Sequence, residues 1–307
     1  MRTLVVGTRK SKLALIQTKW VVKQLRKAGI SCPIQVKEID TTGDRNVHVA
    51  LPKLGGGIFL EELEQELLNG TIDFAVHSLK DIPNSLPAGV HIASFPERED
   101  HRDVFLQTSG ITLEKIRPGA IIGTSSLRRA AQLLRVRPDV EPRWIRGPID
   151  VRIQQMVDGD YDAIVLAMAG LKRLSIGQEF IAEILPTETF LPAMGQGALA
   201  IECREADEEV IGILGKINSE STEKAVRTER AFAHSFHEGD RAPIGAYAYV
   251  ENGVIHLHGM VCDQKGERVL AHKVAGEDHQ TVAEETAQVL LRQGAQEIIT
   301  EVLKDVR

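Results

Sequence analysis

The chain has 307 residues, of which 43% are hydrophobic and 26% are charged, and its formal net charge at pH 7 is -6. This composition excludes a disordered or fibrous protein, and the acidic balance argues against a general nucleic-acid-binding protein. No apolar stretch approaches the roughly 18 residues of a membrane span, and the N-terminus turns polar too early for a secretory signal, so we expect a cytoplasmic protein that contacts neither membrane nor nucleic acid.

Short apolar runs alternate with helical patterns over the first two-thirds of the chain. This alternation predicts an α/β fold with mostly parallel sheets. The predicted strands are 4–7, 34–39 and 74–76 in a first series and 120–123, 142–145 and 163–166 in a second. The predicted helices are 12–27, 59–68, one starting at Ser125 or Ser126, 149–157 and one ending at Leu174. We expect two α/β lobes with a cleft between them.

The pattern changes after residue 218. A helix over 221–236 precedes three strand-like runs, 245–250, 254–261 and 268–274, which two good hairpin turns join, and a closing helix over 281–303 carries one apolar face. This pattern predicts a small α+β domain with a three-stranded antiparallel sheet. The expected domains are lobe 1 at 1–97 and 193–216, lobe 2 at 98–192, and the C-terminal domain at 217–307.

Arginine is concentrated in the second lobe. Residues 128–152 contain seven arginines, three acids and no lysine. The planar guanidinium group matches carboxylates bidentately, so this segment favours an anionic ligand over a merely solvated surface stripe. The segment GTSSLRR at 123–129 places hydroxyls and free backbone N–H groups at a helix start, which is a typical anion site. Arg9 follows the first strand of lobe 1 in the same way.

Asp81 lies in a polar segment directly after a predicted strand. A carboxylate among cations stays ionised, and it can stabilise a positive charge on a substrate or transfer a proton. The alternative is an ordinary turn residue near Pro83. Together with the arginine turns, Asp81 favours a ligand with carboxylates outside and a cationic reacting centre inside.

Several motifs together resemble one enzyme family. They are HSLKDIP at 77–83, PEREDHRD at 96–103, GTSSLRR at 123–129, residues 166–174, LPAMGQGA at 191–198 and ECR at 202–204. In this order they resemble porphobilinogen deaminases, from Val6 to about Glu297. The resemblance implies two periplasmic-binding-protein-like lobes with mixed, mostly parallel sheets, followed by the α+β domain.

The resemblance also implies an activity. The family joins four porphobilinogen molecules head to tail into hydroxymethylbilane, releasing ammonia, in tetrapyrrole and heme biosynthesis. It works as a monomer on a dipyrromethane primer held by a cysteine thioether. Asp81 is then the catalytic carboxylate. The residues that bind the carboxylates of substrate and primer are Arg9, Ser11, Lys80, Thr124, Ser125, Ser126, Arg128, Arg129, Arg146, Arg152, Arg173 and Gln196.

The attachment loop departs from the family pattern, because Asp240 stands where the family has its cysteine. An aspartyl ester at that carbon should ionise readily, so we expect no durable dipyrromethane attachment there. Cys262 is a candidate substitute. In an up-down-up meander it would lie about 10 Å from Asp240, at the same end of the sheet. The alternative is a buried apolar thiol.

The other two cysteines, Cys32 and Cys203, match neither a disulfide framework nor a metal motif, and we predict reduced thiols and no metal site. Three functions remain open. The first is that of an active hydroxymethylbilane synthase. The second is that of a relative that lost polymerisation and binds porphobilinogen, an oligopyrrole or another polycarboxylate. A periplasmic solute-binding protein is the third, although it would normally carry an export signal and lack the C-terminal domain.

Overall fold

The computed structural model describes residues 2–42, 60–83, 85–237 and 242–306. Two compact units make up the chain: unit 1 is Met1–Glu99 with Gly197–Glu223, and unit 2 is Asp100–Gln196 with Lys224–Arg307. Unit 2 holds both the second α/β sheet and the C-terminal sheet, so the three-domain division stays a prediction. No helix of the described ranges is both long and apolar enough to cross a membrane.

The strands, in chain order, are β1 (Leu4–Arg9), β2 (Ile34–Ile39), β3 (Phe74–Ser78), β4 (Val90–Ser94), β5 (Asp103–Leu106), β6 (Ile121–Gly123), β7 (Glu141–Arg143), β8 (Ala163–Ala167), β9 (Ile181–Ile184), β10 (Leu199–Arg204), β11 (Ile244–Glu251), β12 (Val254–Cys262) and β13 (Val269–Gly276). The helices are α1 (Lys12–Lys27), α2 (Glu61–Leu68), α3 (Leu127–Val136), α4 (Ile149–Val157), α5 (Met168–Leu174), α6 (Glu208–Leu214), α7 (Glu220–His234), α8 (His279–Arg292) and α9 (Ala295–Val306).

Each unit contains a five-stranded mixed sheet, and the two sheets have the same pattern. In unit 1 the order is β2-β1-β3-β10-β4, with β1 parallel to β2 and β3, and β10 antiparallel to β3 and β4. In unit 2 the order is β7-β6-β8-β5-β9, again with two parallel pairings followed by two antiparallel ones. The third sheet, β11-β12-β13, is antiparallel. The predicted fold class is confirmed.

Both faces of the unit 1 sheet are covered, which explains why β3 is apolar over most of its length. Phe74 and Val76 pack with Val21 of α1 on one face. Ala75 packs with Leu63 of α2 on the other. Because β1 and β3 are parallel neighbours, their carboxyl ends lie at the same sheet edge.

The closing helix of the C-terminal sheet differs from its prediction. The sequence predicts one helix over 281–303, but α8 ends at Arg292 and α9 begins at Ala295. Gly294 has φ +95°, a left-handed conformation that ends a helix and that glycine adopts without a Cβ penalty. Strands β4, β5, β9 and β10 and helix α6 were not predicted, because segments of four to seven residues show no clear period.

Candidate functional site

Unit 1 brings Asp81 and Arg9 to one pocket. Arg9 ends β1, and Asp81 lies in the 3-10 turn Leu79–Asp81 that follows β3. Ser11, Gln17 and His77 line the same pocket. The Ser11 hydroxyl accepts a hydrogen bond from the Ala14 N–H at 3.2 Å, so it also caps α1. Lys80 is in the same turn as Asp81 and is exposed.

Gln17 connects helix α1 to the strand that carries the pocket. Its Nε2 donates to the Ser78 hydroxyl at 2.9 Å. Neither residue was assigned to the site from the sequence. A usable signal existed, since positions 11, 14 and 17 fall near one face of a helix and Ser78 lies within HSLKDIP. The bond fixes the strand end relative to the helix start that bears Ser11.

In unit 2, the start of α3 has the predicted capped geometry. Ser126 is the N-cap and accepts from the Arg129 N–H at 3.3 Å. The buried Thr124 hydroxyl accepts from the Ser126 N–H at 3.2 Å. Ser125 lies between them and is partly exposed. The turn therefore presents the helix N-terminus, the end that favours negative charge.

Arg128 and Arg129 are buried and share one partner, Asp103. Arg128 Nη1 lies 2.8 Å from Asp103 Oδ2, and Arg129 Nη2 lies 2.7 Å from Oδ1. Gln196 Nε2 also donates to Oδ1, at 2.8 Å. Burial would raise the pKa of Asp103, but the two guanidinium charges outweigh it and hold that pKa well below its usual range. Both arginines thus have an internal counter-charge.

Arg152 lies in a cationic cluster of unit 2. Burial and the charges of Arg129 and Arg146 lower its pKa to about 10. Its Nε donates to the Gly147 carbonyl at 2.8 Å. A carboxylate bound beside Arg152 would favour its charged form. Arg173, in the last turn of α5, is partly exposed and was predicted for the same role.

Of the two residues considered for cofactor attachment, Asp240 and Cys262, the structure describes only Cys262. Asp240 lies outside the described residues. Cys262 is fully buried at the end of β12, and its thiol donates to the Pro243 carbonyl at 3.3 Å. Burial raises the pKa of Cys262 to about 12. A nucleophilic cysteine needs an accessible thiolate, so this environment argues against attachment at Cys262.

The arginines and cysteines of the chain can be tested for their fit to the carboxylates and the covalent link of dipyrromethane. The cluster of Arg129, Arg146 and Arg152 has the donor chemistry to hold its carboxylates. The covalent link does not fit, since Cys32, Cys203 and Cys262, the cysteines of the described ranges, are all buried free thiols. Burial also raises the pKa of Cys203 to about 12. Among the described residues, the site thus offers charged groups for the carboxylates of the cofactor and no accessible thiol to attach it.

The fold and these residues define an α/β protein with clustered guanidinium groups suited to a polycarboxylate and an aspartate at the ends of parallel strands. Residues 4–212 match the family described as "Porphobilinogen deaminase, dipyromethane cofactor binding domain". The porphobilinogen deaminase of Oceanobacillus iheyensis is 48% identical over 100% of this chain and 99% of its own length. Those of Geobacillus kaustophilus and Bacillus subtilis are 48% and 46% identical, over 100% of this chain and 99% and 98% of theirs. The chain belongs to the porphobilinogen deaminase family.

The fold of the chain also resembles that of a solved structure. The VFT2 domain of Bordetella pertussis BvgS matches 75% of this chain and 92% of its own, with a TM-score of 0.44 and 16% identity.

Proposed function

We propose that this protein is a hydroxymethylbilane synthase, which condenses four porphobilinogen molecules head to tail and releases ammonia in tetrapyrrole and heme biosynthesis. The observation that carries the proposal is the pocket of unit 1 in which Asp81 and Arg9 lie together. An ionised carboxylate beside a guanidinium group suits a substrate that has both carboxylates and a cationic reacting carbon.

The chemistry assigns each group a task. Porphobilinogen has two carboxylates, which the arginines hold, and an aminomethyl group. When its C–N bond breaks, the electron pair leaves with ammonia and a positive charge spreads over the pyrrole. Asp81 stabilises that charge. A C–C bond then forms between the carbon that lost the ammonia and the next pyrrole, whose ring carbon loses its proton to Asp81 as the base. The proton passes on to the released ammonia, which becomes ammonium, and Asp81 is ionised again.

Dipyrromethane, when bound, supplies the pyrrole at which chain growth starts. Arg129, Arg146 and Arg152 would hold its carboxylates.

The test is ammonia release and product formation from porphobilinogen by the purified protein. Asp81→Asn should lower kcat about 100-fold or more while porphobilinogen binding changes only a few-fold, because the carboxylate acts on charge that develops in the transition state. Glu209→Gln is a matched control, as this exposed carboxylate of unit 1 lies in the first turn of α6 and does not line the pocket. Equal loss of kcat in both variants would contradict the role of Asp81.

A second candidate is a relative that binds porphobilinogen or an oligopyrrole without polymerising it. Asp240 at the family's cysteine position favours it. Intact-protein mass spectrometry with the same assay separates the two, using Asp240→Cys for comparison. An unmodified wild type without product, and a modified variant with product, would establish the binding protein. Product from the wild type would establish the enzyme.

The remaining features of the proposal are a monomer, a cytoplasmic location and separate domains at 98–192 and 217–307. Light scattering during size-exclusion chromatography tests the first. Limited proteolysis near residue 217, followed by separation of the fragments, tests the last.

A further inference from the structure

Three titratable side chains lie buried together beside the Asp81 pocket. Glu202 on β10 is 0% exposed, His77 on β3 is 6% exposed and Glu64 on α2 is 8% exposed. His77 Nε2 lies 3.2 Å from Glu202 Oε2. The two atoms are not aligned for a hydrogen bond, and among the described residues neither that nitrogen nor either Glu202 oxygen has a hydrogen-bond partner.

The strand register places these side chains on one face of the sheet. Ala200 pairs with His77 and Glu202 pairs with Ala75, so His77 and Glu202 share the face on which Ala75 packs against α2. Glu64 comes from α2 itself. His77 also lines the pocket that contains Asp81. The imidazole therefore connects the buried acids to the catalytic pocket.

Burial makes an uncompensated charge costly within this trio, Glu64, Glu202 and His77. An ionised carboxylate buried without hydrogen bonds is costly unless a counter-charge faces it. The imidazole of His77 faces Glu202 at 3.2 Å, so it does not also serve Glu64. Loss of the Glu64 proton therefore adds a buried negative charge to the trio.

The surroundings of Glu64 bring the loss of its proton close to neutral pH. Burial first, and then the charge of Glu202, raise the pKa of Glu64 to about 7; His77 opposes this shift and Glu61, on the same helix, adds to it.

The other elements packed on α2 contribute a charged group that bonds to the backbone of the helix: Arg204 of β10, two residues from Glu202, donates to the Leu67 carbonyl of α2 at 2.8 Å. Its charge is paired with Asp207 at 2.8 Å and with Asp73 at 3.3 Å. Arg9 of β1 and Asp81 after β3 lie in the pocket beyond His77. Strand β4 contributes Val90, while its His91 contacts Cys203, which belongs to the core on the opposite face.

We propose that Glu64 is a positioning residue whose proton is linked, through Glu202 and His77, to the charge in the Asp81 pocket. Positive charge entering the pocket drives this proton off, and the negative charge that the trio gains stabilises the positive charge. The inference rests on the proposed function, which identifies the incoming charge as the aminomethyl group of porphobilinogen. It gives Glu64 and Glu202, which contact no substrate, an indirect role in the proposed reaction.

Calorimetric titration with porphobilinogen tests the linkage. Titrations in buffers of different ionisation enthalpy give the number of protons exchanged on binding. The wild type should release a fraction of a proton, with a maximum near pH 7, and Glu64→Gln should lose this release. Glu66→Gln is the matched control on α2, because Glu66 bonds to Lys37 at 2.6 Å and to Thr71, away from the trio. It should keep the wild-type proton count.

The outcomes distinguish failure of the proton linkage from failure of the proposed function. Equal proton counts in the wild type and Glu64→Gln, or proton uptake attributable to Glu64, would overturn the linkage and leave the proposed function standing. Absence of any porphobilinogen binding by the wild type would overturn both. If Glu64→Gln fails to fold, carbon-13 NMR of glutamate carboxyls in the wild type replaces it. A buried carboxyl that titrates near pH 7, and at lower pH with porphobilinogen, supports the linkage, and its absence refutes it.

Discussion

Arg128 and Asp103 form an ion pair sealed from solvent, with Nη1 and Oδ2 2.8 Å apart and side chains only 5% and 0% exposed. Arg129 completes the group through the other carboxylate oxygen. One buried carboxylate thus pairs with two buried guanidinium groups at the start of α3. This arrangement gives the arginines a structural task besides any ligand that they hold.

Removal of the Asp103 charge should destabilise unit 2 strongly. Asp103→Asn leaves two buried cations without their counter-charge, and we expect a loss of about 3–5 kcal/mol in the free energy of unfolding. Glu141→Gln is the control, because Glu141 pairs with Arg143 at 2.7 Å but both side chains are about half exposed; its loss should leave the free energy of unfolding nearly unchanged. Urea unfolding of the two variants checks this. Similar losses in both would refute the structural role of the buried group.

Arg152→Gln should separate stability from binding. Burial and the nearby charges of Arg129 and Arg146 disfavour the charged form of Arg152. The unliganded variant should therefore be as stable as the wild type or more stable, by up to about 1 kcal/mol, while its affinity for porphobilinogen falls about 10-fold to 100-fold. Thermal unfolding and calorimetry provide the two measurements. Arg143→Gln, in an exposed pair, should change neither. A variant that loses stability and affinity together would disprove the separation.

The fold class followed from local patterns, but the burial of the site arginines did not. The bounds 12–27, 34–39 and 149–157 agree between sequence and structure, because those segments have a clear period or a clear apolar run. The sequence predicts Arg128 and Arg129 as ligand-binding cations at a helix start. It does not predict their partner Asp103, which lies 25 and 26 residues away at the start of an unpredicted strand.

The buried trio is a stronger example of contacts between distant residues that the sequence does not predict. Glu64, His77 and Glu202 come from a helix and two strands, and sheet pairing between β3 and β10 brings two of them together. Sequence spacing carries no signal for such a meeting. The motif containing Glu202 could be recognised, but its contact with His77 could not.

Two hairpin glycines offer a test of how closely the C-terminal sheet approaches α3. Gly266 has φ +69°, and a Cβ there would meet the Ala131 carbonyl and lie 2.8 Å from the Arg135 nitrogen, both backbone atoms of α3. Gly253 has φ +85° with open space around it. Gly253→Ala should cost about 1 kcal/mol from backbone strain alone, and Gly266→Ala should cost at least about 2 kcal/mol more because the hairpin must move. Equal losses in urea unfolding would contradict the close approach.

The pH dependence of stability should reveal the Glu64 proton without any ligand. The pKa of Glu64 rises from 4.5 to about 7 on folding. A carboxyl with a raised folded-state pKa stabilises the protein fully below its unfolded value, and this contribution is lost as the pH rises through the folded value. Between pH 4.5 and pH 8 the wild type should therefore lose up to ~3 kcal/mol relative to Glu64→Gln.

Glu66 on the same helix provides a control of opposite sign. Its bonds to Lys37 and Thr71 lower its pKa, so its contribution is present above the unfolded value and is lost as the pH falls below it. Urea unfolding at a series of pH values should show the slope near pH 7 in the wild type and Glu66→Gln, and not in Glu64→Gln. If Glu64→Gln kept that slope, the proton that titrates near pH 7 would belong to another group, and its assignment to Glu64 would be wrong.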